Sequence, residues 1–165
     1  MCTACINYCN FSVLSCYTID MIHTANTEGE TGKIAADLAA KTAPGDIVFL
    51  RGALGAGKTV FARNFIRALS GQPQLEVPSP TFTLVQTYDA AGRQLWHFDL
   101  YRLEDPEEIY ELGWEEALSE GGIVLVEWPE RLGNLKPPRY MDIHIRAHDN
   151  DSAKRTIEIT HHDSA

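Results

Sequence analysis

The stretch "FLRGALGAGKTVFARNF", Phe49 to Phe65, decides the fold. Just upstream, "DIVFLRG" (Asp46 to Gly52) is a short apolar run bounded by turn formers, the pattern of a strand. Downstream, "TVFARNFIRALSG" sets Val60 or Phe61, Phe65, Ile66 and Leu69 on one face and stops at Gly71, as an amphipathic helix does. The order is strand, glycine loop, helix. The loop itself, "GALGAGKT" (Gly52 to Thr59), satisfies Gly-x-x-x-x-Gly-Lys-Ser/Thr. Its glycines let the backbone of Leu54, Gly55, Ala56 and Gly57 wrap with N–H groups pointing inward, and the next helix adds its positive N-terminal end. A chain of phosphates meets many donors there. Lys58 can reach the β and γ phosphates, serving binding and catalysis together, and the Thr59 hydroxyl can ligate Mg²⁺. The plainer reading, a glycine-rich turn that binds nothing, does not account for so specific a spacing between a strand and a helix.

A phosphate loop does not by itself name the nucleotide or the reaction. Mg²⁺ and the attacking group need carboxylates opposite Thr59, and in open α/β sheets these come from the C-terminal ends of neighbouring strands. Two acids have that setting. Glu127 ends "GIVLVE", an apolar strand followed by an acid, and is the expected metal-side carboxylate; Asp99 follows "LWHF" and is expected to orient or deprotonate water. Either could instead cap the turn that follows it. "DAAG" (Asp89 to Gly92) matches the Asp-x-x-Gly of GTPases, but it falls at a hairpin turn and no Asn-Lys-x-Asp accompanies it, so it reads as a turn. His97, between Trp96 and Phe98, reads as an ordinary half-buried strand histidine.

Working outward, Thr27 and Glu30 form a Thr-x-x-Glu capping box ahead of "TGKIAADLAAKTA", which gives a first helix ending at Pro44 and Gly45. "PSPTFTLVQTYDAAGRQLWHFDLYRL" alternates through Phe82, Leu84, Gln86 and Tyr88, turns, and continues from Gln94 to Leu100, an antiparallel hairpin inserted after the second helix. "DPEEIYELGWEEALSEGG" has Asp105 as cap, Pro106 at the first helical position and Ile109, Leu112 and Leu118 for packing; it reads as one helix or two short ones with a solvated acidic start. "GIVLVEWPERL" has the continuous apolar run of a strand buried on both faces, and "YMDIHIRA" and "KRTIEITHH" alternate as a last pair around "HDND".

The chain has 165 residues, 44% of them hydrophobic, and a formal charge of −9. That length suits one domain, and the negative field disfavours direct gripping of a nucleic acid backbone. Any RNA link should run through a partner. Cys2, Cys5, Cys9 and Cys16 all fall in the first sixteen residues. Their spacing fits no standard zinc knuckle, so residues 1–20 read as a poorly ordered or misassigned extension ahead of a start at Met21, with a metal site as the alternative; 21–165 read as one domain. The cysteine-free body suits a reducing cytoplasm, and no apolar run is long enough to cross a bilayer.

"GALGAGKT", "PSPTFTLVQTY", "HFDLYRL" with the following "LG", and "VEWPERL", in this order, resemble the TsaE (YjeE) family, bacterial ATPases of the tRNA threonylcarbamoyladenosine pathway. The likeness covers roughly Thr31 to Leu132. It implies a three-layer P-loop NTPase fold, α/β with a mostly parallel sheet and antiparallel hairpin additions. It also implies ATP and Mg²⁺ as cofactors, and action with TsaB and TsaD, which form the modification next to the anticodon, so that tRNA is met only indirectly. By motif, Lys58 and Thr59 are the phosphate and metal residues, Glu127 the metal-side carboxylate, Asp99 the second functional acid, Thr81 part of a switch-like loop, and Thr31 a neighbour of the base. Ala53 and Val60 depart from the Asp and second Thr common in the family; neither supplies the core phosphate contacts. A small-molecule kinase remains a rival, although only Arg102 and Arg131 stand near the motifs. A nucleotide-gated binding module without turnover is the rival outside enzymes.

Overall fold

The structure, a computed structural model, describes residues 20–119 and 121–163. The four cysteines and the reading of residues 1–20 as an extension therefore lie outside the described residues, apart from Asp20.

Strand β1 is Met21–Ala25, followed by helix α1 (Glu28–Ala39), β2 (Ile47–Arg51) and α2 (Lys58–Ser70). Thr27 caps α1, accepting from the Glu30 amide through its side chain. The Glu30 carboxylate reaches back to the Asn26 amide rather than to that of Thr27, so the reciprocal half of the box is displaced by one residue. α2 ends at Gly71, whose left-handed backbone suits a glycine C-cap. Then come β3 (Val85–Asp89), β4 (Gln94–Asp99), a 3₁₀ segment (Pro106–Leu112), α3 (Trp114–Ser119), β5 (Ile123–Glu127), a second 3₁₀ segment (Pro129–Leu135) and the long pair β6 (Arg139–His148) and β7 (Asp151–Asp163).

The strands form one sheet in the order β1-β7-β6-β2-β5-β4-β3. Its centre, β6-β2-β5-β4, is parallel, and antiparallel strands finish both sides. Alternation along each strand divides the core in two. Val48, Leu50, Leu125 and Ile143 face Leu38, Phe61, Phe65 and Ile66 of α1 and α2. On the opposite face, Phe49, Phe98, Val124 and Val126 pack with Ile109, Trp114 and Leu132 of the shorter helices. The result is a three-layer α/β fold around a largely parallel sheet. β5 is buried along its whole length, as a central strand covered on both faces must be.

Three expectations change. β4 is no mere insertion: it pairs parallel with β5 and belongs to the central sheet. Phe82 and Leu84 are not in the hairpin strand, because Thr81–Thr83 turn and Leu84 is left-handed at φ 63°; β3 begins only at Val85. Leu118 points outward, and the packing of α3 falls to Trp114 and Ala117 instead. β1 was not legible as a strand; it adds to β7 with Met21 opposite Ile159. No described helix is long and apolar enough to cross a membrane.

Candidate functional site

The parallel centre brings three strand ends together. Glu127 stands opposite Leu50 of β2 on one side and Asp99 of β4 on the other, so the loop leaving β2 rises beside both acids. Gly52 makes that exit possible. Its backbone has φ 149°, and a Cβ there would sit 2.4 Å from the Ile145 carbonyl oxygen of β6, closer than any side chain allows. The loop then turns through Gly55 and Gly57, both at positive φ, and α2 begins on Gly57 with no side-chain cap. An uncapped helix start carries orphan amides and the positive end of the helix dipole, and an anion is the ligand that fits both.

In front of it lies a cavity of about 540 Å³, lined by Thr31, Leu54, Gly55, Gly57, Lys58 and Thr59 together with Asp99, Glu127 and Trp128. That volume is in the ordinary range for a small-molecule site. Ala56 differs from its neighbours: its methyl group is buried in the helix-side core and its amide donates to the Ala53 carbonyl. Leu54 stands exposed at the rim.

The Lys58 ammonium donates to the carbonyls of Gly52 (2.7 Å) and Ala53 (3.0 Å) and lies 3.9 Å from the centre of the Trp128 ring. Burial pushes its pKa below the usual lysine value, against the pull of the Glu127, Glu130 and Asp99 carboxylates. Trp128 reaches the lysine because its backbone is left-handed, φ 60°, a conformation that costs energy in a bulky residue; Pro129 next to it already disfavours the right-handed helical alternative. The Tyr101 ring packs beside the indole at 5.0 Å.

The two acids have separate partners. Thr59 Oγ1 lies 3.2 Å and 3.4 Å from the two Glu127 carboxylate oxygens. Asp99 Oδ2 accepts from Ser79 Oγ (2.8 Å) and Thr81 Oγ1 (2.7 Å), while its Oδ1 accepts from the Tyr101 amide. Thus Glu127 faces the phosphate loop, and Asp99 ties down the segment leading to Phe82. A hydroxyl and one carboxylate suit Mg²⁺, a hard cation that takes few protein oxygens and completes its shell with water and phosphate. Among the described residues no group of three or more His, Cys, Asp or Glu could hold a metal.

Further participants escaped the sequence. Arg155, on β7, donates from Nε to the Ala56 carbonyl at 2.6 Å and from Nη1 to the Ser152 carbonyl, bracing the phosphate loop from a strand distant in sequence. Arg102, singled out from the sequence, instead lies over the exposed Phe82 ring, 4.2 Å from its centre. Ser79 shares Asp99 with Thr81. His97 is fully buried rather than half-buried, and its Nε2 lies 3.0 Å from Glu127 Oε1. The polar "SPT" run hinted at Ser79, but nothing local marks Arg155.

Comparison with known proteins agrees with this architecture. A family model described as "Threonylcarbamoyl adenosine biosynthesis protein TsaE" matches residues 25–157. The tRNA threonylcarbamoyladenosine biosynthesis protein TsaE of Rickettsia conorii (strain ATCC VR-613 / Malish 7) is 48% identical over 141 residues, covering 86% of this chain and 79% of that protein. The protein of the same name from Bacillus subtilis (strain 168) is 39% identical over 134 residues, covering 81% and 82%. The crystal structure of Bacillus subtilis YdiB matches with a TM-score of 0.70 at 31% identity, over 86% of this chain and 84% of that one. With a match that runs from the end of β1 into β7, at these identities and over the same fold, the chain belongs to the TsaE family.

Proposed function

We propose that the chain serves the formation of threonylcarbamoyladenosine in tRNA as a Mg²⁺-dependent ATPase acting with TsaB and TsaD in the cytoplasm. Family membership supports the pathway. One observation carries the nucleotide chemistry: an uncapped helix start, Thr59 and Glu127 converge on a single cavity. In this reading the amides of Leu54, Gly55, Gly57, Lys58 and Thr59 hold the phosphates, the Ala56 amide staying on the Ala53 carbonyl; Lys58 leaves its two carbonyls to meet them, and Thr59 and Glu127 hold Mg²⁺. Held by the Thr59 hydroxyl and the Glu127 carboxylate, Mg²⁺ would supply positive charge to offset what develops on the phosphates during transfer. Thr31 lies toward the base, and Asp99 orients the attacking water once Ser79 and Thr81 yield to it. The −9 charge supports an indirect relation to tRNA, through the partner proteins.

Hydrolysis by the chain alone should be slow. Arginine fingers supply on the order of 10³ to 10⁵ in rate, and the arginine that lines the cavity, Arg155, already spends Nε and Nη1 on backbone carbonyls. The partners are therefore expected to stimulate turnover. A second reading, nucleotide-gated binding without turnover, is favoured by Phe82, which is 82% exposed one residue from the Asp99-bound Thr81. Single-turnover hydrolysis in the assembled complex separates the two.

The test of the whole reading is reconstitution of threonylcarbamoyladenosine formation with TsaB, TsaD, tRNA and ATP. Sustained product formation is expected with this chain and its loss with Lys58→Ala; equal yield in both, or without the chain, counts against the assignment.

A further inference from the structure

We propose that His97 is a positioning residue that fixes the Glu127 carboxylate in the orientation a divalent cation requires. The inference rests on the reading of Glu127 as the metal-side acid. In the β4–β5 register Asp99 is opposite Glu127 and His97 opposite Leu125, so His97 lies one same-face step behind the site, beneath the carboxylate. Its side chain is wholly buried and is not among the residues lining the cavity. His97 therefore acts through Glu127 and not on a nucleotide.

The hydrogen-bond inventory assigns the proton. Nε2 is 3.0 Å from Glu127 Oε1, whereas the buried Nδ1 has no hydrogen-bond partner among the described residues. An N–H at Nδ1 would be a buried donor without an acceptor, which is the costlier way to leave a nitrogen unpaired. The N–H accordingly sits on Nε2 and donates to Oε1. With Oε1 held from below, rotation of the carboxyl group is restrained; Thr59 Oγ1 lies 3.2 Å from Oε2 and 3.4 Å from Oε1, and Oε2 is the oxygen that the histidine leaves free to face the phosphate loop.

A residue present only to fill the core would not be this one. The neighbouring same-face positions Leu95 and Leu125 are fully buried in the helix-side core, and an aliphatic chain there leaves no nitrogen unsatisfied. Imidazole is explained by the donor it offers to a carboxylate that is itself nearly inaccessible. Mg²⁺ tolerates little deviation from octahedral geometry, and outer groups that orient its ligands typically change metal affinity about 10- to 100-fold when removed.

The experiment compares wild type, His97→Leu and His97→Gln, the last keeping an amide donor of similar reach. A fluorescent ATP analogue is titrated at a series of Mg²⁺ concentrations and in EDTA. His97→Leu is expected to raise the half-saturating Mg²⁺ concentration about 10- to 100-fold while leaving affinity in EDTA unchanged, and His97→Gln to restore most of the loss. Unchanged Mg²⁺ dependence in His97→Leu, or equal loss in both variants, overturns the proposal. Wild type without any Mg²⁺ dependence would overturn the metal reading of Glu127 itself, a distinct result. Should His97→Leu fail to fold, long-range ¹H–¹⁵N spectra of the wild type still decide: a proton on Nε2 that shifts in Glu127→Gln supports the role, and a proton on Nδ1 ends it.

Discussion

Glu127 and Asp99 share one rung of the β4–β5 ladder, yet Glu127 meets the Thr59 hydroxyl and Asp99 meets Ser79 and Thr81. Their loss should therefore differ in kind. If Glu127 holds Mg²⁺ as proposed, Glu127→Ala removes a charged metal partner, and Mg²⁺-dependent ATP affinity and hydrolysis are expected to fall together. Asp99→Asn is expected to keep affinity near normal and to lower turnover by roughly 10² to 10⁴, the range for a lost general base. Titrating a fluorescent ATP analogue into both variants, beside single-turnover rates, checks the division; the reverse pattern would exchange the two roles. Lys58 and Thr59 were legible because the chemistry of a phosphate loop fixes their spacing. Arg155 was not, since its distance from Ala56 is set by where β7 falls in the sheet and by nothing in its own neighbourhood. The alternation "LWHFD" gave the strand but concealed that His97 shares a face with both acids.

At the level of elements, the glycine loop and its flanking strand and helix could be read directly, because composition and period both change at Gly52 and Gly71. β1 could not: "MIHTA" is too short to show a period, and its pairing depends on β7, at the far end of the described chain. Phe82 to Leu84 continued an alternation that the backbone breaks at Leu84. A local pattern cannot report such a turn when the hydroxyls that hold it bind an acid on another strand. The junction of β2 with the loop gives the sharpest structural test. Gly52→Ala would drive a methyl group into the Ile145 carbonyl and against the Ala56 Cβ, 2.4 Å and 3.0 Å away, at φ 149°. Strain of this kind costs about 1–3 kcal/mol, with overpacking of similar size besides. Urea denaturation is expected to show at least about 2 kcal/mol of lost stability; a change below 0.5 kcal/mol on the order of ordinary surface substitutions would contradict the close approach.

For the molecule as a whole, the alternation of strands and helices pointed to a layered α/β fold, and the two-faced burial of β5 pointed to its centre. The strand order was beyond reach, because a sequence lists strands in the order of the chain and a sheet orders them by packing. That order, β1-β7-β6-β2-β5-β4-β3, also governs what happens on the ribosome. β2, among the first strands made, must wait for both of its neighbours, and β1 must wait for β7, the last. Long-range parallel pairing of this sort closes slowly and leaves apolar surface open in the interval. A chain stopped after residue 138 has β2 with one flank bare and the helix-side core without Ile143, Ile145, Ile157 and Ile159. It is expected to be cleaved rapidly in pulse proteolysis under conditions where the full chain survives, and protection equal to that of the full chain would refute the inference. Until β6 and β7 emerge, the newly made loop hangs from a strand with an open edge and lacks the brace of Arg155, so the nucleotide site proposed above takes shape only once β7 has been made.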